Sequence, residues 1–335
     1  MIPGFSLFYF VVNGCSFGIW NLELVYFMES LFLAFKTILP LFLAILAGAL
    51  FSRHKSVDGN WVKILNDYAL WIGFPALIFS ALAKTKIDFN EFGNLILFNS
   101  AYIIVAVFLA FPISAIFKLN VQIKRTLFLV LAYGNVSYLG IPVLQNTYGD
   151  GILPEVTMIS AVYLFWLFTL CIVLVEKYGD NRQGWSEQLK SFALNPLLLS
   201  VFFGIVVSLL KIEIPVVLMK TVDFFAGSVT AVVLFSIGIF LGTQPIGKLR
   251  DWIPTAGFSV LILFILPLMF YLVVACFFDA VHYRSWVLEA AMPMGLTPYV
   301  LSAKYGLDTG FASKLVMMST ILAMLSLPLW IFILG

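Results

Sequence analysis

Apolar runs of membrane-spanning length dominate this sequence and limit what it can fold into. An α-helix needs about 20 apolar residues to cross the hydrocarbon core of a bilayer. About ten such runs follow one another after residue 28, separated by short segments that contain charged residues, glycine or proline. The predicted spans are 30–51, 61–82, 92–117, 126–146, 153–175, 192–210, 216–241, 253–277, 285–304 and 312–334.

Composition excludes a water-soluble fold and several classes of function. The chain is 62% hydrophobic and 11% charged, whereas soluble domains carry about 25% charged residues. Its charges nearly balance, so no basic face for nucleic acid is expected. Two histidines and three widely separated cysteines argue against a metal centre or a His-based catalytic site. We therefore expect an all-α membrane protein whose surroundings are the lipid bilayer.

The placement of lysine and arginine predicts the orientation of the spans. Basic residues are enriched in loops on the cytoplasmic side of a membrane. With both ends of the ten-helix core outside, the inner loops and turns hold Arg53, Lys55, Lys118, Lys124, Arg125, Lys177, Arg182, Lys190, Lys248, Arg250, Lys304 and Lys314. Fewer basic residues then lie outside, so we expect a multi-pass protein of the plasma (inner) membrane with both ends of this core outside.

Residues 1–27 fit this pattern poorly. Their apolar stretch is short and has no basic region of the kind that begins a signal peptide. They are either an extension that forms an extra helix or the product of a mis-assigned start, in which case Met28 is the natural first residue.

The two halves of the chain repeat each other. A displacement of 156 positions relates Pro40 to Pro196, Gly48 to Gly204, Asp67 to Asp223, Phe79 to Phe235 and Ser80 to Ser236. We therefore expect a first five-helix repeat over 28–175, a short cytoplasmic linker over 176–191 and a second repeat over 192–335. Because five is odd, the second repeat enters the membrane from the opposite side, which makes the repeats inverted.

The fourth and ninth spans contain residues that interrupt helices. Inverted-repeat transporters bind substrate near the bilayer midplane, where such broken helices meet. The exposed N–H groups at the start of each half-helix attract anions, and Thr297 before Pro298 resembles an N-cap. The candidate substrate-binding residues are Asn135, Ser137, Gly140 and Pro142 in the fourth span, and Met294, Gly295, Thr297 and Pro298 in the ninth.

Few ionisable residues lie inside the predicted spans. Such residues are costly in a bilayer and usually serve function. Lys36 and Glu289 lie within their spans and could extend to the outer surface, and Asp67 and Asp223 lie near span ends. These four are the candidates for ion coupling or gating.

Two motifs resemble those of a known family. Residues 134–142, which read GNVSYLGIP, and residues 293–299, which read PMGLTPY, resemble the helix crossovers of the auxin efflux carrier family, within the bile acid/auxin carrier-like superfamily. The resemblance implies two inverted five-helix repeats with crossed broken helices 4 and 9. It implies that the scaffold domain contains helices 1, 2, 6 and 7, and that Asn135 contacts a substrate carboxylate.

This chain departs from the large plant carriers of that family. It lacks their long hydrophilic central loop, and Met294 stands where they commonly have glutamine. It therefore resembles a compact, bacterial-type member, and the resemblance implies a carboxylate such as malonate or malate rather than auxin.

The function expected from the sequence is secondary transport of a small organic anion by alternating access. A sodium-coupled permease for another solute is the alternative. A membrane-embedded enzyme would need a buried nucleophile or metal ligands, which the sequence does not offer. No cofactor is expected, coupling to H⁺ or Na⁺ stays open, and a homodimer is one assembly that the sequence leaves open.

Overall fold

The computed structural model describes residues 17–58, 60–85, 89–179, 193–245 and 252–335. Their regular elements are helices, with one isolated β-bridge. The α-helices are α1 (Phe17–Phe51), α2 (Asn60–Tyr68), α3 (Phe74–Ala83), α4 (Phe89–Phe108), α5 (Ala110–Ile116), α6 (Val121–Val130), α7 (Ile141–Tyr148), α8 (Leu153–Trp166), α9 (Ile172–Lys177), α10 (Pro196–Leu210), α11 (Val216–Thr243), α12 (Trp252–Val260), α13 (Leu266–Val274), α14 (Ala280–Ala290), α15 (Leu296–Lys304) and α16 (Thr309–Leu334).

Short segments of wider helix join several of these elements. Ala69–Gly73 links α2 to α3, Val136–Gly140 leads into α7, Leu167–Cys171 links α8 to α9, and Leu261–Ile265 links α12 to α13. All four are π-helical, and a 3₁₀ turn, Asp150–Ile152, precedes α8. A π-helical turn shifts the helix face that follows it, and such turns are frequent at functional sites.

Seven helices among the described residues are long and apolar enough to cross a membrane. They are Leu31–Phe51, Asn60–Ala83, Phe92–Ile116, Asp150–Lys177, Val216–Thr243, Trp252–Val274 and Thr309–Leu334. The sixth predicted span corresponds to the shorter apolar helix Pro196–Leu210. The fourth and ninth predicted spans, 126–146 and 285–304, each contain a break between two shorter helices.

The N-terminal extension and the linker are only partly within the described residues. α1 begins at Phe17 and continues without a break to Phe51. Residues 17–27 are therefore the first turns of the same helix, and residues 1–16 lie outside the described part. Most of the linker expected at 176–191 also lies outside it.

α1 and α11 pack with their backbones in direct contact. A methyl group added to Gly48 would overlap the backbone carbonyl of Phe235, and one added to Gly238 would overlap the carbonyl of Ile45. Small residues allow this close approach between membrane helices, which gain stability from van der Waals packing. Gly204 of α10 packs against α3, where an added methyl would lie 2.8 Å from the Leu82 Cβ and 3.5 Å from the Phe79 carbonyl oxygen.

Polar side chains link the same helices. The Ser80 hydroxyl donates to Asp223 at 2.6 Å, and the Ser236 hydroxyl donates to Asn66 at 2.8 Å. Lys84 also forms an ion pair with Asp223, with 2.7 Å between Nζ and Oδ1. These bonds join α2 and α3 to α11, and they add to the packing contacts between the same elements.

The contact between α1 and α11 predicts a position-specific effect of alanine. Gly238→Ala should destabilise the detergent-purified protein by about 1–3 kcal/mol, because overpacking forces the two backbones apart. Gly227→Ala, on the same helix, is the matched control because an added methyl there meets no atom within 4 Å. Thermal unfolding measured by tryptophan fluorescence should show a lower midpoint for G238A alone. Equal midpoints for the two variants would contradict the packing described.

Candidate functional site

The first interruption consists of residues 131–135. α6 ends at Val130, and helical structure resumes with the π-helical turn Val136–Gly140, which continues into α7. Gly134 and Asn135 have low helix propensity, which favours a break at this point. Asn135 has φ −79° and ψ 47°, outside the helical region.

The second interruption consists of residues 291–295. α14 ends at Ala290, and α15 begins at Leu296 after Gly295, which has extended backbone angles of φ −78° and ψ 163°. Pro293 contributes to this break because proline has no N–H to donate and excludes its preceding residue from helical geometry.

The two interruptions pair through their backbones. An antiparallel bridge joins Gly134 to Met294, and the Asn135 N–H donates to the Pro293 carbonyl at 2.6 Å. The Met294 N–H donates to the Ser319 hydroxyl of α16 at 3.1 Å. Unpaired backbone groups are costly away from water, so these bonds explain how the two breaks are tolerated deep inside the protein.

Two glycines permit this approach. A methyl group at Gly134 would lie 3.2 Å from the Met292 carbonyl oxygen, and one at Gly295 would lie 3.2 Å from the Gly134 carbonyl oxygen. Both distances are tighter than ordinary van der Waals contact. Side chains at these positions would therefore push the two interruptions apart.

The structure brings the predicted substrate-binding residues together around the paired interruptions. All are buried except Thr297, which is partly exposed. Asn135 is 2% exposed, and its side chain does not cap the helix that follows. The backbone carbonyl of Asn135 instead accepts hydrogen bonds from the N–H groups of Leu139 and Gly140, at 3.0 and 2.8 Å. The Asn135 amide is thus not used for helix capping.

The two half-helices start at Val136 and Leu296. The second of them therefore begins one residue before Thr297, earlier than the Thr297-Pro298 pair indicated. The N-cap of α15 is Gly295, so the prediction that Thr297 is the N-cap is wrong. Pro298 fits within the first turn of α15 because the N–H groups there have no helical acceptor, whereas Pro142 is the second residue of α7, directly after the π-helical turn. The N–H groups without a helical acceptor are therefore those of the first turns that begin at Val136 and Leu296, directly after Asn135 and Gly295.

Three of the four predicted ion-coupling candidates lie at exposed or partly exposed positions. Lys36 is exposed, with its Nζ 4.4 Å from the centre of the Phe32 ring, and Asp67 is exposed on α2. Asp223 pairs with Lys84, and both side chains are more than 40% exposed. None of the three lies in the paired interruptions.

The position of Glu289 in the structure differs from the one that the sequence predicted. It was expected to be able to extend to the outer surface, but its side chain is 0% exposed. It lies in the last turn of α14, where residues 285–290 are all buried. Its carboxylate contacts Gly140, where an added methyl would overlap Oε2. Glu289 therefore lies against the half-helix that follows Asn135.

Sequence reasoning did not identify two polar contacts of this region. The Tyr133 hydroxyl lies 3.3 Å from the Ser137 hydroxyl, and Ser319 is the acceptor for Met294. Tyr133 directly precedes the Gly134-Asn135 pair, which could have drawn attention to it. Ser319 lies far away in the sequence and carried no such signal. Over the described part of the chain, no group of three or more His, Cys, Asp or Glu residues could hold a metal ion.

Comparison with known proteins identifies a matching family and several similar proteins over most of the chain. A family described as "membrane transport protein" matches residues 33–331. A Rhizobium meliloti protein named "Putative malonate transporter" is 24% identical over 293 residues, covering 85% of this chain and 91% of that protein. An Escherichia coli protein named "Uncharacterized transporter YfdV" is 21% identical over 304 residues, covering 88% and 96%. An uncharacterized transporter from Methanothermobacter thermautotrophicus is 24% identical over 302 residues, covering 88% and 96%.

The bond from Met294 to Ser319 predicts the effect of removing one hydroxyl. Ser319→Ala should destabilise the protein by about 1–3 kcal/mol, because it leaves a buried N–H without an acceptor. Ser326→Ala is the matched control, since this buried serine on the same helix has no hydrogen-bond partner among the described residues. Thermal unfolding in detergent should show a lower midpoint for S319A only. An equally large decrease in the unfolding midpoint of S326A would contradict this role of Ser319.

Proposed function

The chain belongs to the membrane transport protein family, that of the auxin efflux carriers, and we propose that it carries a small organic anion by alternating access. The family is one of transporters rather than enzymes. The proposed substrate is a carboxylate, bound between the two interruptions near the bilayer midplane. One of the relatives bears the name of a malonate transporter, which makes malonate the first substrate to test.

The pairing of the two interruptions is the observation that carries this proposal. It brings together two helix starts, at Val136 and Leu296, inside the protein. Each start has N–H groups without helical acceptors and a partial positive charge. The neighbouring Asn135 side chain can donate two further hydrogen bonds. Such donors bind a carboxylate without a fixed positive charge beside it.

Reciprocal contacts support two inverted repeats, and the paired interruptions support the crossing of helices 4 and 9. Gly48 in the first half packs on the Phe235 carbonyl, and its counterpart Gly204 packs on Phe79, the counterpart of Phe235. Such exchange of partners is the signature of a two-fold relation. Likewise Ser80 donates to Asp223, and its counterpart Ser236 donates to Asn66, the neighbour of Asp67.

The same relation suggests how the substrate moves. In the proposed cycle, the helices linked by the close backbone contacts, α1 to α3 with α10 and α11, form the scaffold. The elements that contain the interruptions move past this scaffold, which exposes the anion site to one side of the membrane at a time. The buried state of Asn135 and Ser137 is consistent with a site closed to both sides. We place the protein in the plasma membrane, with both ends of the ten-helix core outside.

Asn135→Ala tests the proposed anion site. Loss of a hydrogen bond to a charged group costs about 1.5–3 kcal/mol, so the affinity for malonate should fall about ten- to a hundredfold. The measurement is uptake of radiolabelled malonate into proteoliposomes, with the amount of inserted protein determined in each sample.

The matched control is Asn94→Ala, because Asn94 is an exposed asparagine on α4. It should transport as the wild type does. Malonate uptake at the wild-type rate and affinity in N135A would contradict the assignment of Asn135. Uptake of another carboxylate, but not malonate, by the wild type would keep the site and change the substrate.

A further inference from the structure

Glu289 is a buried carboxylate without a partner. Its side chain is 0% exposed, and neither carboxylate oxygen has a hydrogen-bond partner among the residues that the structure describes. Buried polar groups are nearly always paired, so each exception calls for an explanation. Because Glu289 directly precedes the second interruption, this exception lies next to the proposed anion site.

Several neutral groups lie close to this carboxylate. Gly140 presents its backbone to Oε2. Tyr133 and Tyr163, whose rings lie 6.4 Å apart, are both within electrostatic range of the carboxylate, and the Tyr163 hydroxyl also has no partner within the described part of the chain. The Tyr102 hydroxyl donates to the Ala290 carbonyl at 3.4 Å. Backbone and tyrosine side chains are therefore among the neighbours of the carboxylate, and none of them forms a hydrogen bond to it.

The charged and titratable groups on the packed elements have other neighbours, and none of those described forms a hydrogen bond to Glu289. Arg284, on the same helix, lies 4.4 Å from the centre of the Tyr148 ring of α7. Glu155 of α8 accepts hydrogen bonds from Ser285 and Trp286. Further groups on these elements are Tyr138 of the π-helical turn, which packs on Phe74, Tyr271 of α13, which packs on Tyr283, and Lys314 of α16, which has an interaction of its own. His282, on the same helix as Glu289, is exposed.

An ionised carboxylate in this setting would be costly. Enclosing an unpaired charge away from water costs far more than enclosing the neutral acid. No cation from the described residues lies within hydrogen-bond distance of Glu289 to offset that cost. The conformation therefore favours Glu289 with a proton on its carboxyl group.

We propose that Glu289 is the proton-binding residue that couples anion transport to a proton gradient. The inference rests on the proposed anion site, because Glu289 contacts Gly140 in the half-helix that begins beside Asn135. An ionised Glu289 would repel a bound carboxylate, whereas the protonated form does not. Proton and anion therefore bind together, and each increases the affinity for the other.

The cycle follows from this linkage. On the side with the higher proton concentration, the ionised Glu289 carboxylate takes up one proton, and the anion binds. The closed conformation encloses the neutral acid together with the anion. On the other side, water reaches Glu289, the proton leaves the carboxyl group, and the restored negative charge repels the anion from the site.

Binding measured across pH tests the coupling. The purified full-length chain is titrated with malonate from mildly acidic to mildly alkaline buffer, with wild type, Glu289→Gln and Glu213→Gln compared. Wild-type affinity should fall as pH rises, by up to about tenfold per pH unit once Glu289 ionises, since one proton accompanies each anion. E289Q should keep the affinity of the acidic limit, because its amide does not ionise.

Glu213→Gln is the matched control because Glu213 is an exposed carboxylate. It should follow the wild-type curve, and the titration of malonate itself is common to all three proteins. A pH dependence in E289Q as large as that of the wild type, beyond the part that malonate's own titration contributes to all three proteins, would overturn the proposal. So would an affinity that responds to replacement of Na⁺ by K⁺ at constant pH and loses this response in E289Q, which would make Glu289 a sodium ligand.

A second measurement does not depend on the substrate. Dicyclohexylcarbodiimide reacts with protonated carboxyl groups in apolar surroundings, and mass spectrometry of peptides locates the adduct. Glu289 should be modified in the wild type, and the yield should fall as pH rises. Absence of an adduct at Glu289, or a yield that does not change with pH, would contradict the proposal. If malonate and other carboxylates fail to bind the wild type, the proposed function fails, and this labelling alone decides whether Glu289 binds a proton.

Discussion

Backbone hydrogen bonds between the two interrupted helices are the constraint on which the rest of the structure depends. A break in a membrane helix exposes N–H and C=O groups that lipid cannot satisfy. Here the backbones of residues 131–135 and 291–295 form hydrogen bonds with each other, through the Gly134–Met294 bridge and the bond from the Asn135 N–H to the Pro293 carbonyl. Each interruption thus provides part of the hydrogen-bond partners that the other needs. Ser319 of α16 supplies one further acceptor. The breaks are therefore stable only when both halves of the chain are folded around them.

The same pairing accounts for the chemistry of the proposed site. Two helix starts and the Asn135 amide provide hydrogen-bond donors, whereas the adjacent carboxylate of Glu289 provides the variable charge. A site of this kind holds an anion through dipoles when Glu289 is neutral and releases it when Glu289 is ionised. Because the donors are fixed by the backbone, protonation of one side chain is sufficient to change the electrostatics of the site.

Local sequence predicted the interruptions but not their details. Clusters of glycine, asparagine and proline in the fourth and ninth spans indicated breaks, because these residues disfavour helix interiors through local geometry. The start of the half-helix in the ninth span was missed, since Pro298 fits inside the first turn of α15 rather than at its first position. The burial of Glu289 was also missed, because it depends on how α14 packs against Gly140 and neighbouring helices. Lys36, the other ionisable residue inside a span, is instead exposed. The pattern of apolar residues along a single helix does not distinguish the exposed position of Lys36 from the buried position of Glu289.

The most direct test of the central claim is the structure of the purified protein with malonate bound, determined by electron cryo-microscopy. The account predicts density for one carboxylate within hydrogen-bond distance of the Asn135 amide and of the N–H groups at the start of α15. Malonate bound elsewhere in the protein, with the region between the two interruptions empty, would contradict it.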